Sequence, residues 1–446
     1  MAPKVTPLSG FPELLPAERL AELHLLDILR ETFELHGFTS IETRAVEPVE
    51  RLLGKGGDAD KEVYGVARLA AGAEESRDAA LGLHFDLTVP FARYVLENAG
   101  KLAFPLRRYQ IQKSWRGERP QEGRFREFTQ ADIDVVDVGE LSTHFEAEMP
   151  IVLAEIFEQL PVGDFAVRCN NRKIPQGFYL GIGLTDITAT LRIVDKLDKV
   201  GPEGVTEMLL GTGATREQAA QCLALARISS ADASFVEQVG ALGVSHPLLS
   251  EGLATLAEVI EAALAATRPG RVIADLSIAR GLDYYTGTVY ETQIVGFESW
   301  GSVAGGGRYD SLASDGRTSY PGVGISIGVT RLMQLLIARR GLTASRSTPA
   351  AVLVAVTDEG SRGRSLAVAS ALRARRIPCE VAPRADRFGK QIRYADRRGI
   401  PFVWFPGAGA EGADQVKDLR SGAQTDADAA TWLCPPSDLR PALLTS

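Results

Sequence analysis

The sequence predicts an α+β protein in which a strand-rich N-terminal region carries a helical insertion and is followed by a small α/β domain. Two strand-like segments, 105–115 and 123–138, flank a loop rich in proline, glycine and charge. The segment 170–270 is rich in alanine, leucine and charged residues, which is typical of helices. From residue 351 onward, apolar strands alternate with helical segments, which is typical of an α/β domain.

The N-terminal region begins with a helix predicted over 17–37, because its leucine and isoleucine residues recur at helical spacing and Gly37 ends the pattern. A strand is predicted over 38–43. Residues 84–93 are also predicted to be strand-rich. The other predicted elements of this region are a helix over 144–159, strands at 272–278 and 288–295, and a helix that begins near Thr330.

The C-terminal region is separated by residues 341–349, which are small, polar and aperiodic and therefore predict a linker. Residues 351–356 form a continuous apolar run, which indicates a strand buried on both faces. The elements predicted after it are a helix (362–376), a strand (378–382), a helix (389–398) and a strand (401–405). We therefore predict a domain over 1–340 with its insertion at 170–270, the linker, and a parallel or mixed α/β domain over 350–446.

The composition is that of an ordinary soluble protein, with 446 residues, 45% of them hydrophobic and 24% charged. The first residues contain no apolar run of the signal-peptide type. No stretch approaches the ~18 uncharged apolar residues of a membrane span. We therefore expect a cytoplasmic protein with no membrane association.

The cysteines and histidines show no metal-binding pattern. The cysteines form no CxxC pair, and the histidines form no HExxH or HxxxH pattern. We expect reduced, structural thiols and no metal held by the protein itself. The residues concerned are Cys169, Cys222, Cys379, Cys434, His24, His36, His84, His144 and His246.

The net charge of −8 argues against general coating of nucleic acid, but basic residues are concentrated in two segments. The first basic segment, 107–126, has seven basic residues against two acidic ones. The second basic segment, 371–400, has nine against three. Two such segments on an acidic protein are compatible with binding a polyanion at two places. They are equally compatible with solvated helix faces.

The segment 115–130 is the most informative part of the chain, because it predicts two strands joined by a tight loop that carries most of the charge. An arginine on a strand can donate two parallel hydrogen bonds to a phosphate or carboxylate, and an aromatic ring on the returning strand can stack on a base. Arg116, Glu118, Arg126 and Phe128 could therefore bracket a nucleotide. A hairpin with salt bridges on its wet face is the alternative, but unpaired arginines on buried strands would be costly.

The amino-acid sequence of this segment resembles motif 2 of class II aminoacyl-tRNA synthetases, in the form found in histidyl-tRNA synthetases. Four further segments resemble that family in the expected order: Ala279–Thr286 and Ala304–Asp310 resemble its two signature peptides, Gly322–Arg331 resembles motif 3, and 351–420 resembles its anticodon-binding domain. The resemblance extends from Gly10 to about Arg420. It implies a class II catalytic domain built on an antiparallel sheet, together with an α/β anticodon-binding domain.

The resemblance also implies an activity: L-histidine is activated with ATP and Mg²⁺ and is then joined to the 3′ end of tRNA(His) by a homodimer. By position, Arg280 would be the catalytic cation at the α-phosphate, and Arg116 would hold the α-phosphate and the histidine carboxylate. The other implied ATP contacts are Glu118, Arg126, Phe128 and Arg331, with Phe128 stacking on adenine. The other implied histidine contacts are Asp86, Leu87, Thr88 and Gln130 around the α-amino group, and Asp134, Tyr284 and Tyr285 around the imidazole.

These roles are consistent with the chemistry of adenylation. The substrate's own carboxylate attacks the α-phosphorus and is already ionised at neutral pH, so only positioning and charge neutralisation are needed. A carboxylate opposite a phenol matches the two nitrogens of imidazole. A pocket that hydrogen-bonds its substrate can reject analogues by roughly 10⁴–10⁵ without editing, and the sequence shows no obvious editing domain.

Structural alternatives remain for several of these residues. Tyr284 and Tyr285 could be packing residues, the glycines at 305–307 could form a turn or bulge, and Asp86 could cap the following segment. With five motifs in order, we favour the functional interpretation.

Two positions depart from the family pattern. Arg44 stands where motif 1 usually has proline, which puts the local dimer contacts in doubt, and Thr330 stands where motif 3 usually has glutamate.

A second class of function uses the same scaffold. The regulatory subunit of ATP phosphoribosyltransferase resembles the catalytic domain of this family but would sense histidine without charging tRNA. Such subunits usually lack the anticodon-binding domain and tend to lose the arginines that correspond to Arg116, Arg280 and Arg331. This chain retains all of these features, which favours the enzyme.

Overall fold

The computed structural model describes residues 6–53, 62–68, 80–278 and 284–445. These residues fall into two compact units. The first contains the N-terminal residues up to Pro12 together with Ile28–Leu335, and the second contains Glu13–Asp27 and the residues from Leu336 onward.

Both units combine helices with strands. The helices are α1 (Pro16–Leu35), α2 (Val49–Leu52), α3 (Thr88–Asn98), α4 (His144–Gln159), α5 (Lys173–Gly181), α6 (Ile187–Val194), α7 (Leu197–Gly211), α8 (Arg216–Ala226), α9 (Phe235–Gly240), α10 (Pro247–Ala266), α11 (Val329–Arg340), α12 (Arg362–Ala374) and α13 (Phe388–Arg397). The strands are β1 (Thr39–Ser40), β2 (Val46–Pro48), β3 (Gly65–Val66), β4 (Leu81–Leu83), β5 (Leu106–Trp115), β6 (Glu127–Val136), β7 (Phe165–Asn171), β8 (Ser229–Ser230), β9 (Val272–Asp275), β10 (Thr288–Ile294), β11 (Ala304–Tyr309), β12 (Gly322–Gly328), β13 (Thr343–Ala344), β14 (Val352–Val354), β15 (Cys379–Val381), β16 (Phe402–Phe405), β17 (Asp414–Asp418), β18 (Gln424–Ala427) and β19 (Leu443–Leu444).

The first unit is built on a sheet that, in the described part of the chain, has nine strands in the order β1-β5-β6-β12-β11-β10-β7-β9-β8. From β5 to β7 every neighbouring pair is antiparallel. Among the described strands of this sheet, the parallel pairs are β1–β5 and β7–β9. The antiparallel sheet expected from the family resemblance is therefore present.

The central strand β6 is buried on both faces. Ala131, Ile133 and Val135 are at most 1% exposed and lie on one face, while the polar residues between them lie on the other. Helix α4 packs against β7 and β12, and α10 packs against α4 and β7. The sheet is thus a rigid platform, and the polar face of β6 is where a site can be built.

The segment between β7 and β9 is helical, as the sequence predicts, apart from the short strand β8. Helix α10 packs closely on α5, where Gly252 and Gly177 leave room for the neighbouring backbone: a Cβ at Gly177 would lie 2.3 Å from the amide nitrogen of Leu249. These contacts hold two helices of the insertion together, and α10 also packs against β7 and β9 of the sheet.

The prediction of strands at 84–93 is wrong for most of that segment, because residues 88–98 form helix α3. Thr88, Val89 and Phe91 favour strands as isolated residues. In the folded chain, Asp86 accepts a hydrogen bond from the Val89 amide at 3.1 Å, which satisfies a donor in the first helical turn. Three apolar residues of α3 then pack in a cluster with residues of β6 and β11, and this burial outweighs the local preference: Phe91, Ala92 and Val95.

The second unit contains a mixed sheet of five strands in the order β15-β14-β16-β17-β18 within the described residues. Strand β14 is parallel to both neighbours, and β17 and β18 are antiparallel additions. Every residue of 351–356 is fully buried, as the continuous apolar run predicts. The alternation of strands and helices predicted for this region is confirmed.

The predicted linker residues are ordered within the second unit. Thr343 and Ala344 pair with Leu444 and Leu443, respectively. Arg346 is 4% exposed and donates to the carbonyl oxygen of Asp438 at 2.8 Å.

In the described residues, no helix combines the length and apolar character needed to cross a bilayer.

Candidate active site

One face of strand β6 carries the aromatic, amide and carboxylate side chains of the candidate site. Phe128, Gln130, Asp132 and Asp134 alternate along the strand and therefore face the same side. On the neighbouring strand β12, Gly324 lies opposite Asp134, and a Cβ there would sit 2.1 Å from the Asp134 Oδ1 atom. The glycines at 307, 322 and 324 thus leave room for the side chains of Tyr285, Tyr309 and Asp134, respectively.

At one end of this face, Asp134 belongs to a buried polar network. The Tyr309 hydroxyl donates to its Oδ1 at 2.7 Å, and a guanidinium nitrogen of Arg108 lies 2.5 Å from its Oδ2. Arg108 is fully buried, with its guanidinium 4.3 Å from the ring centroid of Phe91. Burial raises the pKa of Asp134 to about 6, although the Arg108 charge and the Tyr309 hydrogen bond oppose the shift.

The tyrosines of the first signature close over this end. The rings of Tyr284 and Tyr285 meet edge to face with centroids 4.9 Å apart, and Tyr284 meets Tyr309 in the same way at 6.2 Å. Burial, followed by the nearby Asp134 and Asp86 carboxylates, raises the pKa of Tyr285. These phenols therefore stay protonated, which suits them to donate a hydrogen bond to an imidazole nitrogen.

The residues before α3 border the same pocket. Asp86 is 3% exposed; its Oδ1 accepts from the Val89 amide, and its Oδ2 lies 3.5 Å from the Tyr284 hydroxyl. Leu87 is fully buried and Thr88 begins α3. Asp86 therefore does cap the following helix, and the same carboxylate also faces the tyrosines.

At the other end of the face, Arg116 follows β5. Its Nε donates to the Phe85 carbonyl oxygen at 3.0 Å, and its guanidinium lies 5.0 Å from the ring centroid of Phe128. The arginine is thus held at Nε and packed on an aromatic ring. This arrangement orients its terminal nitrogens for bidentate binding of an oxyanion.

The loop between β5 and β6 is held together by its own charges. A guanidinium nitrogen of Arg124 donates to the Glu118 carboxylate at 3.0 Å, and Arg126 donates to the Glu118 carbonyl oxygen at 3.3 Å. The charged loop is therefore partly preorganised before any ligand binds.

Two residues at the start of α11 connect it to this loop and to β6. Arg331 donates through Nε to the Gly123 carbonyl oxygen at 2.7 Å, and it also contacts the Ser302 carbonyl oxygen. The hydroxyl of Thr330 accepts from the Thr129 amide at 2.8 Å. Thr330, which departs from the family pattern, thus links α11 to β6 through a hydrogen bond.

Gln130 lies in the middle of the polar face, where its side-chain amide donates to the Ser326 hydroxyl oxygen at 2.7 Å. Arg280 lies outside the described residues, together with its neighbours at 279–283. The structure therefore brings together the other residues that the sequence singles out, in two groups at the two ends of β6 and with Gln130 between them.

Three residues of this face were missed by the sequence analysis: Arg108, Asp132 and Tyr309. Arg108 was counted only as part of the first basic segment, and Tyr309 only as part of the glycine-rich signature. Period-two spacing from Gln130 and Asp134 could have identified Asp132, because alternate residues of a strand share a face.

The second unit presents a different surface. Lys390, Arg393 and Arg397 are exposed and spaced so that they fall on one side of α13, opposite the buried Gln391 and Ala395. They border a concavity of about 470 Å³. The residues that line it are Ala382, Pro383, Arg384, Asp386, Lys390, Gln391, Arg393, Tyr394, Asp396 and Arg397.

Comparison with known proteins is consistent with both units. Residues 10–332 match the family model described as histidyl-tRNA synthetase, and residues 350–431 match an anticodon binding domain. The chain is 60% identical to a histidine–tRNA ligase of Micrococcus luteus, over 97% of each chain, and 57% identical to one of Cutibacterium acnes, over 99% of each. A histidyl-tRNA synthetase structure from Nostoc sp. PCC 7120 superposes with a TM-score of 0.85 at 36% identity, covering 96% of this chain and 97% of the other.

Proposed function

The chain belongs to the histidyl-tRNA synthetase family, and we propose how its residues carry out the histidine–tRNA ligase reaction. The enzyme is a class II aminoacyl-tRNA synthetase that uses ATP as a substrate to activate histidine. The observation that carries the assignment of residues is the single polar face of β6. An oxyanion-binding arginine stacked on Phe128 lies at one end of this face, and a buried carboxylate–tyrosine network lies at the other.

We place histidine along this face with its imidazole at the network of Asp134 and its carboxylate toward Arg116. Asp134 accepts from one imidazole nitrogen, and Tyr285 donates to the other, with Tyr284 lining the pocket. Asp86, Leu87, Thr88 and Gln130 surround the α-amino group. The hydrogen bonds that hold Asp134 and Asp86 in place support this orientation, because they fix the acceptors before the substrate arrives.

ATP occupies the other end in our proposal. Phe128 stacks on adenine and Glu118 contacts the base, while Arg126 and Arg331 bind the β- and γ-phosphates. The histidine carboxylate attacks the α-phosphorus and pyrophosphate leaves. Arg116 and the catalytic Arg280 neutralise the charge that develops on the α-phosphate. The loop contacts of Arg331 and Arg126 support this division of roles, because they hold both arginines beside the motif 2 loop.

We propose that Mg²⁺ enters as the ATP complex. The described residues hold no group of three or more histidine, cysteine, aspartate or glutamate side chains arranged to bind a metal ion. Mg²⁺ commonly takes most of its ligands from substrate phosphates and water. None of the residue roles above depends on the ion.

We propose that the second unit binds the anticodon region of tRNA(His) through the basic side of α13. Exposed arginines and a lysine on one helix side can contact phosphates, and the adjoining concavity is large enough to receive a base. The match of residues 350–431 to an anticodon binding domain supports this proposal.

We further propose a cytoplasmic homodimer. Arg44, at the position where the family pattern has proline, pairs with Glu47 at 3.0 Å and lies 3.7 Å from a carboxylate oxygen of Glu97. Arg93 also pairs with Glu47, so the local charges are balanced within one chain. The arginine is therefore compatible with a dimer contact. A light-scattering mass equal to one chain at micromolar concentration would contradict the dimer.

The test of function is histidine-dependent exchange between ATP and pyrophosphate, followed by charging of tRNA(His). The wild-type chain is expected to exchange with histidine and not with the other amino acids. A protein that binds histidine but supports no exchange would instead fit the regulatory-subunit alternative. That alternative rests on the fold alone, since the matching regulatory subunit/histidyl-tRNA synthetase structure from Bacillus halodurans is 18% identical with a TM-score of 0.71.

A further inference from the structure

Asp132 is a buried carboxylate to which neither the sequence motifs nor the proposed mechanism gives a role. It lies midway between Gln130 and Asp134 on the polar face of β6, roughly 7 Å along the strand from each. It is 2% exposed. One interaction with the Ser326 hydroxyl is present, but its Oδ1 has no hydrogen-bond partner among the described residues.

Among the described residues, Asp132 shares its surroundings with two other carboxylates and with a cation that is already paired. Asp86 and Asp134 face the same space, and the fully buried Arg108 already forms its ion pair with Asp134. Burial, partly opposed by Arg108 and reinforced by Asp134, raises the pKa of Asp132 to about 7. A buried carboxylate is costly unless it is paired with a cation, and Asp132 has no ion pair of its own among the described residues.

The substrate carries a positively charged α-ammonium group that can lie beside Asp132. In the orientation proposed above, on which this step rests, the imidazole lies at Asp134 and the carboxylate lies toward Arg116. The α-ammonium group therefore falls between them, beside Asp132. Asp86 also borders this group, with one protein donor at each of its oxygens, the Val89 amide and the Tyr284 hydroxyl. Asp132 adds an oxygen, Oδ1, that has no partner among the described residues.

We infer that Asp132 is a further histidine-binding residue: its Oδ1 accepts a hydrogen bond from the α-ammonium group of L-histidine, and it selects the amino acid against imidazole compounds that lack the amine. A structural role would require Asp132 to stabilise the free enzyme. The ligand-binding role implies the opposite, because the carboxylate is poorly compensated until histidine arrives.

The test compares the full-length wild type, Asp132→Asn and a control, Asp137→Asn, which changes an aspartate just beyond the end of β6. Michaelis constants for histidine and ATP are measured by pyrophosphate exchange. Inhibition constants are measured for 3-(imidazol-4-yl)propionate, which is histidine without its amine. Thermal unfolding is followed without ligands.

We expect Asp132→Asn to raise the Michaelis constant for histidine by ~10–100-fold, the range for losing a hydrogen bond between charged groups. Its Michaelis constant for ATP and its inhibition constant for the amine-free compound should stay within about threefold of wild type. Its unfolding temperature should be equal or higher. Asp137→Asn should match wild type in every measurement.

Equal losses for histidine and for the amine-free compound would overturn the inference, because Asp132 would then act on the imidazole or on pocket shape. An unchanged Michaelis constant for histidine, or a lower unfolding temperature in Asp132→Asn, would also overturn it. If Asp132→Asn does not fold, Asp132→Ser provides the same comparison with a smaller neutral side chain, and failure of both to fold makes Asp132 structural. A wild type without exchange would contradict the proposed function itself, a result distinct from all of these.

Discussion

The two basic segments have similar local charge, but most basic residues of the first are at least partly buried, whereas those on α13 are exposed. In the first, Arg107 is bonded to Glu148, Arg108 is buried against Asp134, and Lys113 is paired with Glu127. In the second, the basic residues of α13 are exposed along one side of a helix. A local excess of positive charge in the sequence therefore does not by itself predict whether the basic residues are buried in ion pairs or exposed to solvent.

The physical reason is solvation. Arginines removed from water must be held by fixed acceptors, which makes them precise donors for one small ligand. Arginines left in water keep their counterions and release them to a polyanion, which favours an extended phosphate backbone. Not all of the second segment is of this kind, since Arg375 donates to the carbonyl oxygens of Ala429 and Trp432 and thus serves the fold.

The largest effect is expected for the two arginines that we propose to act at the α-phosphate. Arg116→Ala and Arg280→Ala should each lower histidine-dependent pyrophosphate exchange by ~10²–10³, because each removes a positioned donor at the developing charge. Arg119→Ala, which changes an exposed arginine of the same loop, is the control and should stay near wild type. Near-wild-type exchange by Arg116→Ala would remove that residue from the catalytic set.

The next largest effect should follow from breaking the buried ion pair. Asp134→Asn should raise the Michaelis constant for histidine by ~10–100-fold with little change for ATP. Because it leaves Arg108 buried without its carboxylate, it should also lower the free energy of unfolding by ~3–5 kcal/mol. Chemical denaturation measures the second effect. If ATP binding suffers as much as histidine binding, the pocket assignment of Asp134 is wrong.

A smaller effect is expected on the exposed surface. Arg393→Glu should raise the Michaelis constant for tRNA several-fold and reduce the slope of log affinity against log salt by about one, while pyrophosphate exchange stays unchanged. Arg376→Glu changes an exposed arginine of the same segment that lies off α13, and it should have less effect. Equal effects from both variants would indicate nonspecific attraction.

The smallest effect concerns the structural pairs of the first segment. Partial burial opposes ionisation of Glu148, but the His36 imidazole, 3.7 Å away, and the hydrogen bonds from Arg107 outweigh it and lower its pKa from 4.5 to about 2. Since the folded-state pKa is depressed, the stabilisation is fully present above pH 4.5 and is lost as the pH falls toward 2. Glu148→Gln should cost about 1 kcal/mol at pH 7 and unfold with a shallower pH dependence between 4.5 and 2.

Thermal unfolding as a function of pH checks this prediction. Glu140→Gln, which alters an exposed glutamate just after β6, should follow the wild-type curve. Identical pH profiles for wild type and Glu148→Gln would show that the ion pair contributes nothing measurable.

Much of the fold could be predicted because the signals are local. The apolar run at 351–356 and the helical spacing at 144–159 each determine an element from neighbouring residues alone. The error at 84–93 arose where β-branched residues favour a strand, while a capping carboxylate and a buried helix face decide for a helix. Local preference is weak compared with burial, so such segments are the ones that sequence reasoning misassigns.

The sequence by itself determined the family and the order of the motifs, and it suggested most of the candidate site residues, because these depend on residue types at fixed spacing. Only the tertiary structure decided which groups meet. Tyr309 reaches Asp134 across 175 residues of sequence, and Arg108 reaches it from the neighbouring strand. The same strand register leaves one oxygen of Asp132 without a partner among the described residues. Register and burial are set by the packing of the whole sheet, and no short pattern encodes them.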